Sequence, residues 1–219
     1  GIKHMAKISD KFLKRMVDPD AVDDERRKIN YFRLVDDKDK ATVTFLYSNE
    51  DEIGESTRRV HLFKYEKSKF PSKVDCLRED SIDDCPMCED EIITTNRIFI
   101  NLYNHDTEQV EVWERGMNEW YLNLIDEMKK EGDLTKVTYE ITRHGRKGNK
   151  RTTYVFDKVG ENKEDMTEYK DSVISLDKQG SPVWHMDANT MITSIERNPE
   201  QQRWEKEETE EEPTRRPRF

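Results

Sequence analysis

The sequence predicts a mainly β fold of the α+β class, with five strands closed into a barrel and one helix among them. Three observations carry this. Short stretches of alternating apolar side chains recur through the middle of the chain, one segment alone places apolar residues at helical steps, and that segment falls between the third and fourth barrel strands. At 219 residues, 39% charged and 33% hydrophobic, the chain suits one domain with charged ends rather than a core along its whole length.

Each element has its own signal. Ile8, Phe12 and Met16 recur at helical spacing among acids, so residues 1–30 read as a short N-terminal arm. Gly1 to Met5 read as a remnant ahead of a second start. Residues 31–35 are a short apolar-aromatic strand. Ala41, Val43, Phe45 and Tyr47 share one strand face, and residues 58–66 alternate again. In residues 97–103, Ile98, Ile100 and Leu102 lie on one side, with Phe99 and Tyr103 on the other. Asn104-His105-Asp106 makes a turn, and residues 109–114 return as its hairpin partner.

Met117, Trp120, Tyr121, Leu124, Ile125 and Met128 then mark the helix, with Gly116 before it and Glu131-Gly132 at its end. Residues 136–143 and 151–158 are strands joined by a glycine-rich basic loop, 144–150. A further strand or small helix is expected around Val183-Trp184, and residues 198–219 read as a disordered charged tail. This order is that of an oligonucleotide-binding (OB) fold. Its core spans 31–197, with a metal-binding insertion over about 58–92 between the first and second barrel strands.

The chain has three cysteines, Cys76, Cys85 and Cys88. An odd number without a secretory leader argues against a disulfide framework. Cys85-Pro86-Met87-Cys88 is a Cys-x-x-Cys knuckle whose two thiolates can share a metal, and Cys76 adds a third. Tetrahedral zinc in a closed structural site needs four such ligands. His61 is the leading fourth ligand, because its strand face is otherwise apolar or aromatic, with His105 and Asp84 as competitors. A redox pair explains neither the third Cys nor the acidic Asp83-Asp84 flank. Three thiols without a metal are the bland alternative.

The formal net charge is -10, which is awkward for a phosphate binder. The charges are segregated, however. Arg58, Arg59, Lys64, Lys67, Lys69 and Lys73 form one basic stretch, and Arg143, Arg146, Lys147, Lys150, Arg151 and Lys158 form another. Aromatic residues interleave with them: Phe63, Tyr65 and Phe70 in the first, Tyr154 and Phe156 in the second, and Phe99, Tyr103 and Trp113 between. Cations that track phosphates beside rings that stack on bases are the two needs of a single-strand site. The expected contacts are Arg58, Arg59, Phe63, Lys64, Tyr65, Lys67, Lys69, Tyr103, Trp113, Arg143, Arg146, Lys147, Lys150, Arg151 and Tyr154. About half of the aromatics are expected in the core, led by Phe45, Phe99 and Phe156.

Other classes find no support. There is no phosphate-binding Gly-x-x-x-x-Gly-Lys-Ser/Thr loop. No Glu stands two residues after His61 as a zinc deaminase requires; Phe63 is there. No apolar run is of membrane-spanning length. A non-enzymatic protein with no membrane role is expected.

The stretches Tyr31-Phe32-Arg33-Leu34, Asp83-Asp84-Cys85-Pro86-Met87-Cys88, Trp113-Glu114-Arg115-Gly116 and Arg143-His144-Gly145 resemble bacteriophage single-stranded DNA-binding (helix-destabilising) proteins. The order and intervals of His61, Cys76, Cys85 and Cys88 are similar to theirs as well. The resemblance covers residues 31–158 and is most specific at the metal ligands. It implies an OB fold, one structural zinc ion, and coating of single-stranded DNA in phage replication, recombination and repair, in the cytoplasm of the infected bacterial host. It implies self-association on DNA through the N-terminal arm, and an acidic C-terminal tail that recruits replication or recombination proteins. Residues 205–212 fit that tail, while Arg215-Arg216-Pro217-Arg218-Phe219 depart from it by being basic. A second reading stands beside this one: a zinc-stapled phage protein that binds and modulates a host protein such as RNA polymerase, which would suit the acidic balance.

Overall fold

Alternation decides the sheet. In the computed structural model, which describes residues 29–149, 151–177 and 180–204, Ala41, Val43 and Phe45 of β1 (Lys40–Phe45) all turn into one core. A short helix α1 (Glu50–Glu55), capped by Asn49, leads into β2 (Thr57–Phe63). The chain continues through β3 (Ser72–Asp75), a one-turn helix α2 (Pro86–Glu89), β4 (Thr94–Asn104) and β5 (Gln109–Gly116). The predicted helix is α3 (Met117–Glu131), which buries Trp120, Leu124, Ile125 and Met128. Gly132, at φ 79, ends it by donating its N–H to the Met128 carbonyl. Then come β6 (Val137–His144), β7 (Thr153–Glu161), a single turn α4 (Thr167–Lys170) and α5 (Ala188–Arg197).

The strands form one antiparallel sheet of seven, in the order β3-β2-β4-β1-β6-β7, with β5 also on β4. β4 organises it. One edge is shared between β2 (Ile98 opposite Thr57) and β1 (Leu102 opposite Phe45), and the other carries β5 (Ile100 opposite Trp113). The α+β class is therefore as expected.

The sheet is open where a closed barrel was expected. Among the described residues no ladder joins β5 to β7. The reason is that the free edge of β5 is already used. Val112 N–H donates to the Asn30 carbonyl (2.8 Å), and Phe32 N–H donates to the Val112 carbonyl (2.9 Å). Residues 31–35, expected as a strand, contribute only this bridge at Tyr31. Side chains cross the seam instead of backbone, with Trp113 edge-on to Tyr154 at 5.1 Å.

The region around the cysteines reaches further than residues 58–92. Trp184 bridges to Val74, and α5 packs Met191 and Ile195 onto the same small core. Residues 198–204, expected to begin the disordered tail, are instead fastened there. Ile93 N–H donates to the Gln202 carbonyl and Trp204 N–H to the Glu91 carbonyl, both at 3.1 Å. The Gln201 amide clasps both backbone groups of Lys64. Of the expected arm, Ile29 and Asn30 are described; residues 1–28 and 205–219 lie outside the described residues. Among the described residues no helix is long and apolar enough to cross a membrane.

Candidate metal centre and groove

Three separate pieces of backbone deliver the candidate metal cluster. His61 sits mid-strand in β2, between Val74 of β3 and Thr94 of β4, and is fully buried. Cys76 follows β3, with its N–H donated to the Arg59 carbonyl. Cys85 and Cys88 flank the first turn of α2. Pro86 starts that helix, and Cys88 N–H donates back to the Cys85 carbonyl (2.9 Å), which turns both sulfurs to the same side. Just upstream Ser81 and Asp84 form a capping box, the Asp84 carboxylate accepting from the N–H groups of Ser81 and Asp80.

The four ligand atoms all lie within 4.8 Å of one another. Cys76 Sγ is 3.5 Å from Cys88 Sγ, and His61 Nε2 is 3.4 Å from Cys85 Sγ and 3.5 Å from Cys88 Sγ. Metal–sulfur bonds of about 2.3 Å in a tetrahedron place two sulfurs roughly 3.8 Å apart and a sulfur and a nitrogen roughly 3.6 Å apart. The cluster is thus close enough to hold a metal ion, and its donor set is compatible with zinc. His61 Nδ1 donates to the Ile92 carbonyl (3.0 Å), which leaves Nε2 with its lone pair facing the sulfurs. The other candidate fourth ligands are engaged elsewhere. Asp84 caps its turn, and His105 bonds Thr44 Oγ1 at 2.9 Å.

The thiols share charge unequally. A hydrogen bond from Cys76 is the main cause that holds the Cys85 thiol well below its ordinary value. Donating that bond, together with burial, pushes Cys76 up, and burial pushes Cys88 up. Three sulfurs this close cannot all ionise without a cation between them.

The expected single-strand contacts differ in exposure. Arg59, Lys64, Lys67, Lys69, Arg146, Lys147 and Arg151 are exposed, as cations that meet phosphate must be. Arg58 is partly covered and ion-paired to Asp177. Lys150 lies outside the described residues. Three aromatics are corrected from stacking to packing. Phe63 is wholly buried beside the metal cluster, Tyr103 lies under Tyr169 at 4.2 Å, and only 4% of Trp113 is exposed, between Phe32 and Trp120. Tyr65 is half-buried against Phe63 and Trp184. Arg143 is a fastening residue rather than a free contact. Its guanidinium donates to the carbonyls of Leu34, Gly145 and Arg146 and to the hydroxyls of Tyr154 and Thr152, which ties down the base of the β6–β7 loop.

A groove of about 1090 Å³ runs between the β2–β3 connection and the base of the β6–β7 hairpin, past residues 29–35 and β5. Tyr31, Phe70, Trp113 and Tyr154 line it with rings, and Arg33, Lys73 and Arg143 with cations. Phe70 is 72% exposed, with Lys69 over its ring at 5.6 Å. Two acids also line the groove, and each is partnered. Glu114 pairs with Lys73 (2.7 Å) and sits 3.8 Å from Arg97, while Glu111 accepts from Asn104 and Thr107. Tyr31, Arg33 and Arg115 were not singled out as contacts, although each lies in a stretch that carried the family resemblance. Nothing local in the sequence shows that residues 29–35 lie along β5.

No family model, curated protein or solved structure matches the chain.

Proposed function

We propose that this protein binds single-stranded DNA without sequence preference and without catalysis, on an OB-type core stapled by one structural zinc ion at His61, Cys76, Cys85 and Cys88. The observation that carries the reading is the groove along β5, where exposed or half-exposed rings alternate with cations and both acids are already partnered. Tyr31, Phe70 and Tyr154 supply faces for bases, each stacked base contributing about 1–3 kcal/mol whatever its identity. Arg33, Lys69 and the loop cations Arg146, Lys147 and Arg151 supply the salt-dependent part.

Strand order supports the OB assignment. β1, β4 and β5 run as a meander, α3 intervenes, and β6 returns to the other edge of β1 before turning into β7. The departure is the seam between β5 and β7. Zinc, when bound, supplies a cross-link and no reaction, since a closed Cys₃His set leaves no position for substrate. It fixes β2, β3 and α2, from which the Phe70 connection extends. Coating of exposed strands in phage replication, recombination and repair, in the host cytoplasm, is the corresponding role.

The test is binding of the zinc-loaded protein to labelled oligo-dT and to a duplex of matched length across a salt series. Tight, salt-sensitive binding to the single strand, with little to the duplex, is expected. Binding to neither, even at low salt, would overturn the reading in favour of a host-protein partner.

A further inference from the structure

Among the described residues, Arg115 is the guanidinium of the β5–β7 seam that no ion pair or hydrogen bond engages. It lies on β5 next to Trp113, the ring that lines the groove, and its Cζ is 4.4 Å from the centre of the Tyr154 ring, 5.3 Å from Trp113 and 5.7 Å from Trp120. Those rings cover its faces. Among the described residues nothing accepts from its edge: no ion pair or hydrogen bond engages it, and its Nε is fully shut off from solvent without a partner. Burial pushes the guanidinium below its ordinary value, and the nearby Arg97 and Arg143 push the same way, while Tyr154 and Glu119 oppose them. An arginine in protein nonetheless stays charged. Arg143 also stands by the Tyr154 ring, 5.7 Å from its centre and bonded to its hydroxyl, with donors that meet only carbonyls and hydroxyls. Two cations therefore stand beside one ring at a seam where, among the described residues, neither is ion-paired.

Resting on the reading of the groove as a single-strand site, we infer that Arg115 is a phosphate-binding residue, its guanidinium edge taking a phosphodiester at the β5–β7 seam while the adjoining base stacks toward Tyr154. The planar fork suits two phosphate oxygens, and the ring cage holds the fork in one orientation beforehand. Arg143 acts by position: it holds the Tyr154 hydroxyl at 2.7 Å and adds to the positive field. The chemistry recognised is the phosphate group, whether in a polynucleotide or free.

The experiment follows the Arg Nε–Hε cross-peaks of the zinc-loaded, nitrogen-15-labelled protein. The Arg115 peak is assigned by its loss in Arg115→Lys. Oligo-dT and inorganic phosphate are titrated separately. A saturable shift of the Arg115 peak with oligo-dT is expected. In Arg115→Gln the affinity for oligo-dT should fall about tenfold, and the slope of log affinity against log salt should fall by about one, with Arg115→Lys keeping the slope. A peak that moves with neither probe overturns the proposal, as does an Arg115→Gln protein with unchanged affinity and slope. A peak that moves with inorganic phosphate in a protein that ignores oligo-dT supports the anion site while refuting the single-strand reading. Should Arg115→Gln fail to fold, the wild-type peak assigned through Arg115→Lys decides alone.

Discussion

The two halves of this molecule are held together by different means. On the barrel-like side, eighteen buried residues, most of them from β1, α1, β4, β5, α3 and β6, form one apolar core, with Phe45, Tyr139 and Phe156 in mutual ring contact. On the cysteine side, only seven buried residues gather around His61, and one of them is itself the ligand Cys85. The second core is small, and it encloses a polar imidazole and three sulfurs. The lesson is that the first region can stabilise itself by burial, whereas the second has the small core that a cross-link generally supplements, the role proposed for zinc.

The largest expected effect breaks the comparison directly. Structural zinc is worth about 10–16 kcal/mol in small peptides. Chelation should therefore abolish hydrogen-exchange protection at Ile92 and Ile93, whose amides bond the Met87 and Gln202 carbonyls, while Leu46 and Phe99 keep theirs. Simultaneous loss in both regions would show a single cooperative unit. Rebinding has a proton signature. Cys85 is held low while Cys76 and Cys88 are pushed up, so protons remain on the sulfurs to be displaced. Metal uptake should release protons near pH 7, and acid should favour the metal-free form, because protons compete for the same sulfurs. Calorimetry in buffers of different ionisation heat measures the count.

The next effect belongs to the other region. Leu124→Ala empties a fully buried site in the large core and should cost about 2–5 kcal/mol in denaturant unfolding, with metal affinity unchanged. The smallest is at the strap. Gln201→Ala removes two hydrogen bonds to the Lys64 backbone and should cost about 0.5–1.5 kcal/mol, felt as faster exchange at Lys64 and little elsewhere.

The larger core was readable because its signals are local. Alternation marked β1, β4, β5, β6 and β7, and helical spacing marked α3. The elements not foreseen had little local signal. α1 buries one residue of six, Ile53, and β3 is four residues with Lys73 and Asp75 between its buried positions. α5 buries only Met191 and Ser194, although Asp187 caps it as a sequence signal would. The metal ligands were legible because three of them recur within a short span; only the imidazole required a strand face. Burial of aromatics was harder to read. Phe63 and Tyr103 alternate like candidates for stacking, and what covers them, α5 with Trp184 on one side and Met166 with Tyr169 on the other, arrives from about a hundred or sixty residues later. Arg115 was overlooked for the same reason: the lack of an acid beside it is a property of the fold and not of its neighbours in sequence.

Hydrogen exchange of the zinc-loaded protein with and without oligo-dT tests the central claim most directly. Added strand should protect residues 30–35, the β5 backbone beside them and the β6–β7 loop, leaving α5 and the outer face of α3 unchanged. Protection confined to α5, or none anywhere at saturating oligo-dT, would contradict a single-strand site along β5.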